Sequence, residues 1–223
     1  MLPFPRLVEY ANILPPNTVL LDIDFSTQTI GDNFIRDNAG AQFSTIGTAG
    51  SVQYDPQLGQ NVFKFSGAGY YVTPPIISGS KLDLTNRSFE VVIQFKTNRT
   101  SVMEGLWETG NYSSQRIPGI TCALNQFPST YFQYFLDSGE TYNRVLMNGT
   151  NHMSWETMTF TYIKNSGITV KSSYYNNTQT FPLYPYGIGY KLSIGGSYVS
   201  AEVGGQPYYF GGSLAKLKIT EIK

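Results

Sequence analysis

The sequence has one cysteine, no long apolar run and little charge, and each absence excludes a class of protein. Cys122 has no second cysteine with which to form an internal disulfide, so we expect synthesis in a reducing compartment. A membrane-spanning helix needs about 18 or more consecutive apolar residues, and no stretch approaches that length. The first residues also lack the charged start, apolar run and cleavage site of a signal peptide. The sequence therefore predicts neither membrane insertion nor a secretion signal.

Charged residues are sparse and balanced. They make up 13% of the 223 residues, with 15 basic and 15 acidic side chains and no segment in which lysine and arginine cluster. Proteins that bind a phosphate backbone need a basic patch or stripe. We therefore expect no nucleic-acid partner.

Turn-forming and aromatic residues are abundant. The chain has 22 glycines, 12 prolines, 17 tyrosines and 14 phenylalanines, a composition typical of short strands joined by turns. In "TVLLDIDF" Leu21, Ile23 and Phe25 alternate with two aspartates, and "SFEVVIQFK" is the longest alternating run, which predicts a central strand. No segment shows a helical period over ten residues. The pattern predicts an all-β fold, a sandwich of two antiparallel sheets.

Several segments between the predicted strands have the composition of loops. "DNAGAQF" and "SVQYDPQLGQ" carry the residues that favour turns. In "NVFKFSGAGYYVTPP", Gly67 and Gly69 permit a tight turn or a bulge between two apolar runs. We expect most of this stretch to lie in the core, with Tyr70 as the one ring that faces a groove.

Residues 1–18 differ from the rest and form a proline-punctuated arm ahead of a single domain, 19–223. Its prolines prevent a regular ladder, while its other residues are largely apolar. The arm either packs along its own domain or docks on a neighbouring subunit, and the sequence favours neither.

The order of the sequence motifs along the chain is more informative than any one of the motifs. "DFS" near the start is followed by "DNAG" at Asp37–Gly40, then by "QNVFKFSGAGYYVTPP", "LDLTNRSFEVVIQFKT", "SWETMTFTYIKNSGITVKSSYYNN" and finally "YYFGGSLAKLKITEI". Over residues 19–223 this order and spacing resemble the laminin G-like, concanavalin A-like lectin/glucanase superfamily. The resemblance implies a jelly roll of two curved antiparallel sheets, whose concave face or edge loops bind carbohydrate or protein in many members. Because fold alone does not carry function, each site has to be argued from its own residues.

Catalytic residues are not predicted. The glucanases of that superfamily resemble one another in an E-x-D-x-x-E strand, and this chain has no such triple: Asp22 and Asp24 stand on one strand, and Glu104 and Glu108 bracket "GLW". The only histidine, His152, lies in a polar turn without a nucleophile nearby. We therefore expect a protein that is not an enzyme, with a divergent glycoside hydrolase using Glu104 or Glu108 as an alternative.

Calcium is the one cofactor that the resemblance implies, because laminin G-like domains often bind it at the rim of the sandwich through oxygen ligands. The rim oxygens here are Asp32, Asp37, Asn38 and Asp137. Against calcium, "SGAG" offers no carboxylate where many relatives carry acidic residues.

Tyrosine-rich runs exceed what a core needs. Exposed rings stack on sugars, and tyrosine also anchors protein interfaces, so the excess fits either ligand. The candidate binding residues are Tyr70, Tyr134, Tyr174, Tyr175, Tyr186 and Tyr208.

These features together predict a non-enzymatic structural or adhesion module of a phage or viral particle, such as a tail, fibre or capsid-decorating protein. It is expected to be made in the host cytoplasm, to form a homo-oligomer, to join other virion proteins through the arm, and to meet a cell-surface glycan or a neighbouring virion protein through the jelly roll. The alternatives are a free-standing, calcium-assisted lectin and the divergent hydrolase.

Overall fold

The computed structural model describes residues 17–98, 103–109, 119–125, 129–135, 142–148, 153–172, 176–179, 191–197 and 207–223. In these residues the chain forms antiparallel strands and one short 3-10 turn, Phe25–Thr27. The strands are β1 Val19–Asp24, β2 Ser44–Asp55, β3 Gln60–Val72, β4 Ser88–Lys96, β5 Glu104–Glu108, β6 Gly119–Asn125, β7 Ser129–Phe135, β8 Tyr142–Asn148, β9 Glu156–Ile163, β10 Gly167–Ser172, β11 Asn176–Gln179, β12 Ser193–Ile194 and β13 Ser213–Ile222. The all-β antiparallel fold expected from the sequence is confirmed.

The strands form one hydrogen-bonded sheet that curls into a jelly-roll sandwich. Their order is β11-β10-β9-β4-β13-β3-β12-β5-β6-β7-β8, with β1 added to β13 and β2 added to β3. The two ends of this order, β11 and β8, come within 8 Å of each other. Strand β4 lies between β9 and β13, so the prediction of a central strand is confirmed.

The β2–β3 hairpin joins the two layers of the sandwich. At its start β3 pairs with β13, where Phe63 lies opposite Leu214. At its end β3 pairs with β12, where Tyr71 lies opposite Ile194. One strand therefore belongs to one layer at its beginning and to the other at its end, and β2 follows it along the whole length.

Glycines allow this hairpin to bend. The register of β2 against β3 shifts between Thr48 and Gly50, which is a bulge at the middle of the hairpin. Gly50 has a φ of +135°, which L side chains rarely adopt, and a Cβ there would collide with the carbonyl oxygen of Lys64. A Cβ on Gly69 would lie 2.6 Å from the carbonyl oxygen of Ile46. The "SGAG" segment is thus a bulge within one strand, not a turn between two.

Aromatic rings fill the space beneath the bend. The Phe63 ring centroid lies 5.3 Å from Phe25, 4.8 Å from Phe65 and 5.4 Å from Tyr71. Phe65 in turn lies 5.4 Å from Phe210. These rings belong to one buried cluster with side chains of both layers, so the sandwich has a common core.

Two expectations about local structure are corrected. "SVQYDPQLGQ" is not a loop, because Ser51–Asp55 continues β2 and Gln60 starts β3, which leaves a turn of four residues. Tyr70 is only 3% exposed and does not face an open groove. Its side chain packs against Gly196, where a Cβ would lie 2.9 Å from the Cβ of Tyr70. The loop at "DNAGAQF" is confirmed.

The arm expected at residues 1–18 lies outside the described residues except for Asn17 and Thr18. The carbonyl oxygen of Thr18 accepts a hydrogen bond from the Glu221 amide at 2.8 Å, which fixes the chain at the end of β13. Among the described residues no helix has the length and apolar character needed to cross a membrane.

We expect Gly50→Ala to lower the free energy of unfolding by about 3 kcal/mol, because it combines backbone strain with a clash against the facing strand. Gly59→Ala is the matched control: its φ is also positive, at +69°, but a Cβ there meets nothing within 4 Å. It should cost only about 1 kcal/mol. Denaturant unfolding measures the loss of stability in each variant. Equal losses in the two variants would contradict the role of Gly50 in the bend of the hairpin.

Candidate functional site

A groove with polar walls opens beside the turn of the β2–β3 hairpin. Its volume is about 210 Å³. We call it the polar groove, and its lining residues are Gln53, Tyr54, Asp55, Pro56, Val62, Lys64, Lys96, Asn98 and Ser213.

Strand register brings the polar side chains to one face. Ser213 lies opposite Lys64 on β3 and opposite Lys96 on β4, so these three residues form a row across three strands. Side chains alternate along a strand, and their neighbours Phe63 and Phe95 are therefore directed into the core, where they are fully buried. The polar groove thus occupies the outer face of the sheet.

Asp55 organises the wall of the groove. Its Oδ1 accepts the amides of Gln57 at 2.9 Å and Leu58 at 3.1 Å, which closes the hairpin turn. The same oxygen accepts the Trp155 indole N–H at 3.3 Å. Its Oδ2 accepts the Lys96 ammonium at 2.9 Å. One carboxylate therefore ties the hairpin, the end of β4 and the residue before β9 together.

Lys96 and Trp155 complete this cluster. The Lys96 Nζ lies 5.1 Å from the centre of the Trp155 ring, within range of a cation–π interaction. Burial by itself raises the pKa of the Asp55 carboxyl, but the hydrogen bonds from Lys96, the Leu58 amide and Trp155 hold that pKa below its ordinary value of 3.8. Asp55 and Lys96 are therefore an ion pair at neutral pH.

An exposed aromatic residue is among those that line the groove. Tyr54 is 58% exposed, although an aromatic ring of that size is usually at least half-buried. Gln53, Lys64 and Asn98 are exposed and supply amide and ammonium groups to the same groove. A ring for stacking with polar groups around it suits a ligand that carries hydroxyl groups on an apolar frame.

Sequence reasoning missed this site. Asp55 and Tyr54 were assigned to a loop, and Trp155 was read only as the beginning of a strand motif. The available signal was the Tyr-Asp-Pro sequence at a turn, since the exposed end of a hairpin often carries function. The contact between Asp55 and Trp155 spans 100 residues of sequence, so no local pattern could reveal it.

Of the tyrosines proposed from the sequence, only Tyr70 and Tyr208 have described side chains. Tyr70 is buried, with its ring centroid 6.0 Å from that of Tyr209. Tyr208 is half-buried with a φ of +44°, and its carbonyl oxygen accepts the Gly105 amide at 2.7 Å. Tyr70 and Tyr208 therefore belong to the packing between β3, β5 and the segment before β13, not to the polar groove.

The other proposed tyrosines are not tested. The backbone of Tyr134 lies in β7, opposite Ile120 on one side and Asn143 on the other. Tyr174, Tyr175 and Tyr186 lie outside the described residues, as does His152.

The described carboxylates proposed for calcium accept backbone amides. Asp37 is buried and accepts the amides of Asp22 at 2.6 Å, Ala39 at 3.0 Å and Ala41 at 2.6 Å, so its carboxylate holds the 37–43 loop on β1. Asp32 Oδ2 accepts the Thr29 amide at 3.3 Å. In the described part of the chain no three histidine, cysteine, aspartate or glutamate side chains group in a way that could hold a metal ion. Asn38 is exposed, and Asp137 lies outside the described residues.

The carboxylates of the hydrolase alternative are buried. Glu104 and Glu108 are each 1% exposed. Glu104 Oε1 accepts the Gly211 amide at 2.7 Å, and its Oε2 accepts the Thr97 hydroxyl. Oε1 thus anchors the segment before β13, and Oε2 contacts the residue after β4. The burial of Glu104 gives a substrate no access to these oxygens.

Comparison with solved structures supports the fold. No protein-family model matches the sequence, and no curated protein matches it either. Domain 4 of AbnA, a GH43 extracellular arabinanase from Geobacillus stearothermophilus solved with arabinotriose, superposes with a TM-score of 0.62 at 13% identity, over 92% of this chain and 93% of that one. The CBM40 of the Ruminococcus gnavus IT-sialidase, bound to α2,3-sialyllactose, gives 0.50 at 15% identity over 60% and 75%.

A third similar structure is the binding domain of botulinum neurotoxin DC in complex with SialylT. Its TM-score is 0.62 at 10% identity, over 92% of this chain and 48% of that one. This chain therefore spans about half of the toxin binding domain. At these identities the likeness establishes the fold alone, an antiparallel β-sandwich.

Stability should depend on the Asp55 carboxylate at acid pH. Because the folded-state pKa of Asp55 lies below the unfolded value, its contribution is complete above about pH 4 and is lost as the pH falls through the folded-state pKa. At pH 6 we expect Asp55→Asn to lower the free energy of unfolding by about 2 kcal/mol, typical of lost charge-assisted hydrogen bonds. Denaturant unfolding from pH 6 to pH 2 should show that the difference in free energy of unfolding between the unchanged protein and Asp55→Asn becomes smaller below pH 4. A constant difference would contradict the ion pair.

We expect Glu104→Ala to destabilise the fold by about 3 kcal/mol, because the Gly211 amide and the Thr97 hydroxyl lose their buried acceptor. Glu90→Ala, at a half-exposed position on β4, is the control and should change stability by less than about 0.5 kcal/mol. Unfolding curves measure both. Unchanged stability of Glu104→Ala, together with loss of a measurable oligosaccharide cleavage, would support the hydrolase alternative.

Proposed function

We propose that this domain is a non-catalytic carbohydrate-binding module that takes an oligosaccharide in the polar groove. The observation that carries the proposal is a groove built around the Asp55–Lys96 ion pair, with Tyr54, which is 58% exposed, among its lining residues. Sugar recognition needs a flat apolar surface and fixed polar groups beside it. The polar groove supplies both.

The rigidity of the wall supports this function. Lys96, which lines the groove, is held by Asp55 and packs on the Trp155 ring, so it does not have to be ordered when a ligand arrives. Ordering a long side chain on binding costs about 0.5–1.5 kcal/mol, and a preformed wall avoids that cost. The polar groups that remain exposed, on Gln53 and Asn98, have both donors and acceptors, as hydroxyl groups do.

The size of the groove indicates the kind of ligand. Pockets that enclose a whole small molecule have volumes of about 300–1,000 Å³, whereas the polar groove measures about 210 Å³. It therefore suits contact with one part of a longer glycan that extends past the domain. Arabinotriose and sialyllactose on the similar domains are oligosaccharides, which supports the same class of ligand here.

The role in a virion, the virion location and the homo-oligomer expected from the sequence stay predictions, since neither the fold nor the similar structures bear on them. A free-standing lectin remains the better-supported form of the glycan-binding proposal. Its calcium dependence is a separate question, which the binding experiment answers directly.

We expect saturable binding of the purified protein to a defined glycan on an array, followed by measurement of its affinity by calorimetry. Tyr54→Ala should weaken that affinity at least about tenfold, since removing a central aromatic contact costs on the order of 1.4 kcal/mol or more. Phe34→Ala is the matched control because Phe34 is also an exposed ring, at 43%, outside the polar groove. It should leave the affinity unchanged.

Equal losses in both variants, or no loss in Tyr54→Ala, would move the glycan site away from the polar groove. No binding to any glycan would overturn the proposed function. Repeating the titration with a calcium chelator distinguishes the two forms of the lectin: an unchanged affinity and melting temperature would exclude the calcium-assisted form.

A further inference from the structure

A second groove, apolar in character, lies at the other end of β3. Its volume is about 290 Å³. We call it the apolar groove, and its lining residues are Leu20, Ala39, Gly40, Ala41, Gln42, Thr73, Pro74, Pro75, Ile76, Ile77, Ser80, Lys81 and Leu82.

Two chain segments form the walls of the apolar groove, and buried side chains form its floor. Leu20 and Ile76 are buried beneath it, at 1% and 4% exposure. The Lys81 ammonium donates to the Ala39 carbonyl oxygen at 2.6 Å, which ties the wall from 80–82 to the wall from 39–42. Ile77, in contrast, is 73% exposed, the highest value for a large apolar side chain in the described residues. Covering such a side chain is favourable because it removes apolar surface from water.

The first described residues, which follow residues 1–16 in the chain, lie beside this groove. Thr18 is fixed by the Glu221 amide, and Leu20 on the groove floor comes only three residues after Asn17. Three residues span at most about 11 Å. Residues 1–16 therefore leave the domain within about 11 Å of the apolar groove.

The chemistry of residues 1–16 matches the groove. This arm has one basic and one acidic side chain, Arg6 and Glu9. Its prolines remove backbone donors and favour an extended strip that needs no strand partner. Its apolar residues are Leu2, Phe4, Leu7, Val8, Tyr10, Ile13 and Leu14.

We propose that residues 1–16 fold back on their own domain and place their apolar side chains in the apolar groove, over Ile77. A short tether gives the arm an effective concentration in the millimolar range at this site. A second copy of the chain supplies the same arm only at its solution concentration, which is far lower. Binding of the arm to its own domain is therefore favoured over binding of the arm from a second copy.

Thiol reactivity tests the proposal in the full chain. Ile77→Cys places a reporter in the groove, while the native Cys122 is fully buried and burial raises the pKa of its thiol, which keeps it unreactive. We expect the Ile77→Cys thiol to react with a maleimide at least about tenfold more slowly than in the same chain whose arm carries aspartate at Leu7, Val8, Ile13 and Leu14. Tenfold corresponds to about 1.4 kcal/mol in favour of the docked arm.

Tyr54→Cys is the matched control, because Tyr54 is exposed at the opposite end of the β2–β3 hairpin. Its reactivity should not depend on the arm. Equal reactivity of Ile77→Cys with and without the arm substitutions would overturn the proposal. Protection that disappears on hundredfold dilution would also overturn it, since the arm would then come from a second copy.

A reciprocal measurement uses the arm as the reporter. Ile77→Asp puts a charge into the apolar groove at an exposed position, where it should not impair folding. Trypsin cleavage after Arg6 should then accelerate at least about tenfold relative to the unchanged chain. An unchanged cleavage rate would contradict docking. The two grooves lie at opposite ends of β3, so this outcome is independent of glycan binding.

Discussion

The bend in the β2–β3 hairpin is the constraint on which the rest of the structure depends. β3 pairs with β13 at its beginning and with β12 at its end, so the two layers are connected through one continuous strand. A flat strand could not pass from one layer to the other. The bulge at Gly50 and the close backbone approach at Gly69 provide the change of direction. The aromatic rings packed beneath the bend then fix the separation of the layers.

The position of both grooves follows from this geometry. The polar groove lies at the start of β3, where Lys64, Ser213 and Lys96 align on the outer face. The apolar groove lies just beyond the end of β3, at Thr73 and the prolines that follow it. The hairpin thus separates a polar surface from an apolar one by the length of a 13-residue strand. A ligand in one groove and the arm in the other would not compete.

The sequence predicts the strands better than it predicts the sites, for a physical reason. Alternation is local, and it locates β4 and β13 because each of them buries one face. The exposure of a tyrosine depends instead on which distant residue lies against it. Tyr70 is buried because Gly196, far along the chain, leaves room for its ring. Tyr54 stays exposed because it lies next to the hairpin turn, where none of the described strands covers its ring.

The acidic residues illustrate the same separation between structure and function. Asp37 and Glu104 are buried, and their oxygens accept backbone amides that hold loops in place, so they have little capacity left for a ligand. Asp55 also closes a turn, but it stands at the end of the hairpin, fixes Lys96 at the wall of a groove and accepts the Trp155 indole N–H beside it. A carboxylate whose oxygens are taken up by holding loops in place stabilises a fold, whereas one that also positions side chains around an open groove can serve recognition. That difference in placement, which no count of acidic residues reveals, distinguishes Asp55 from the buried Glu104.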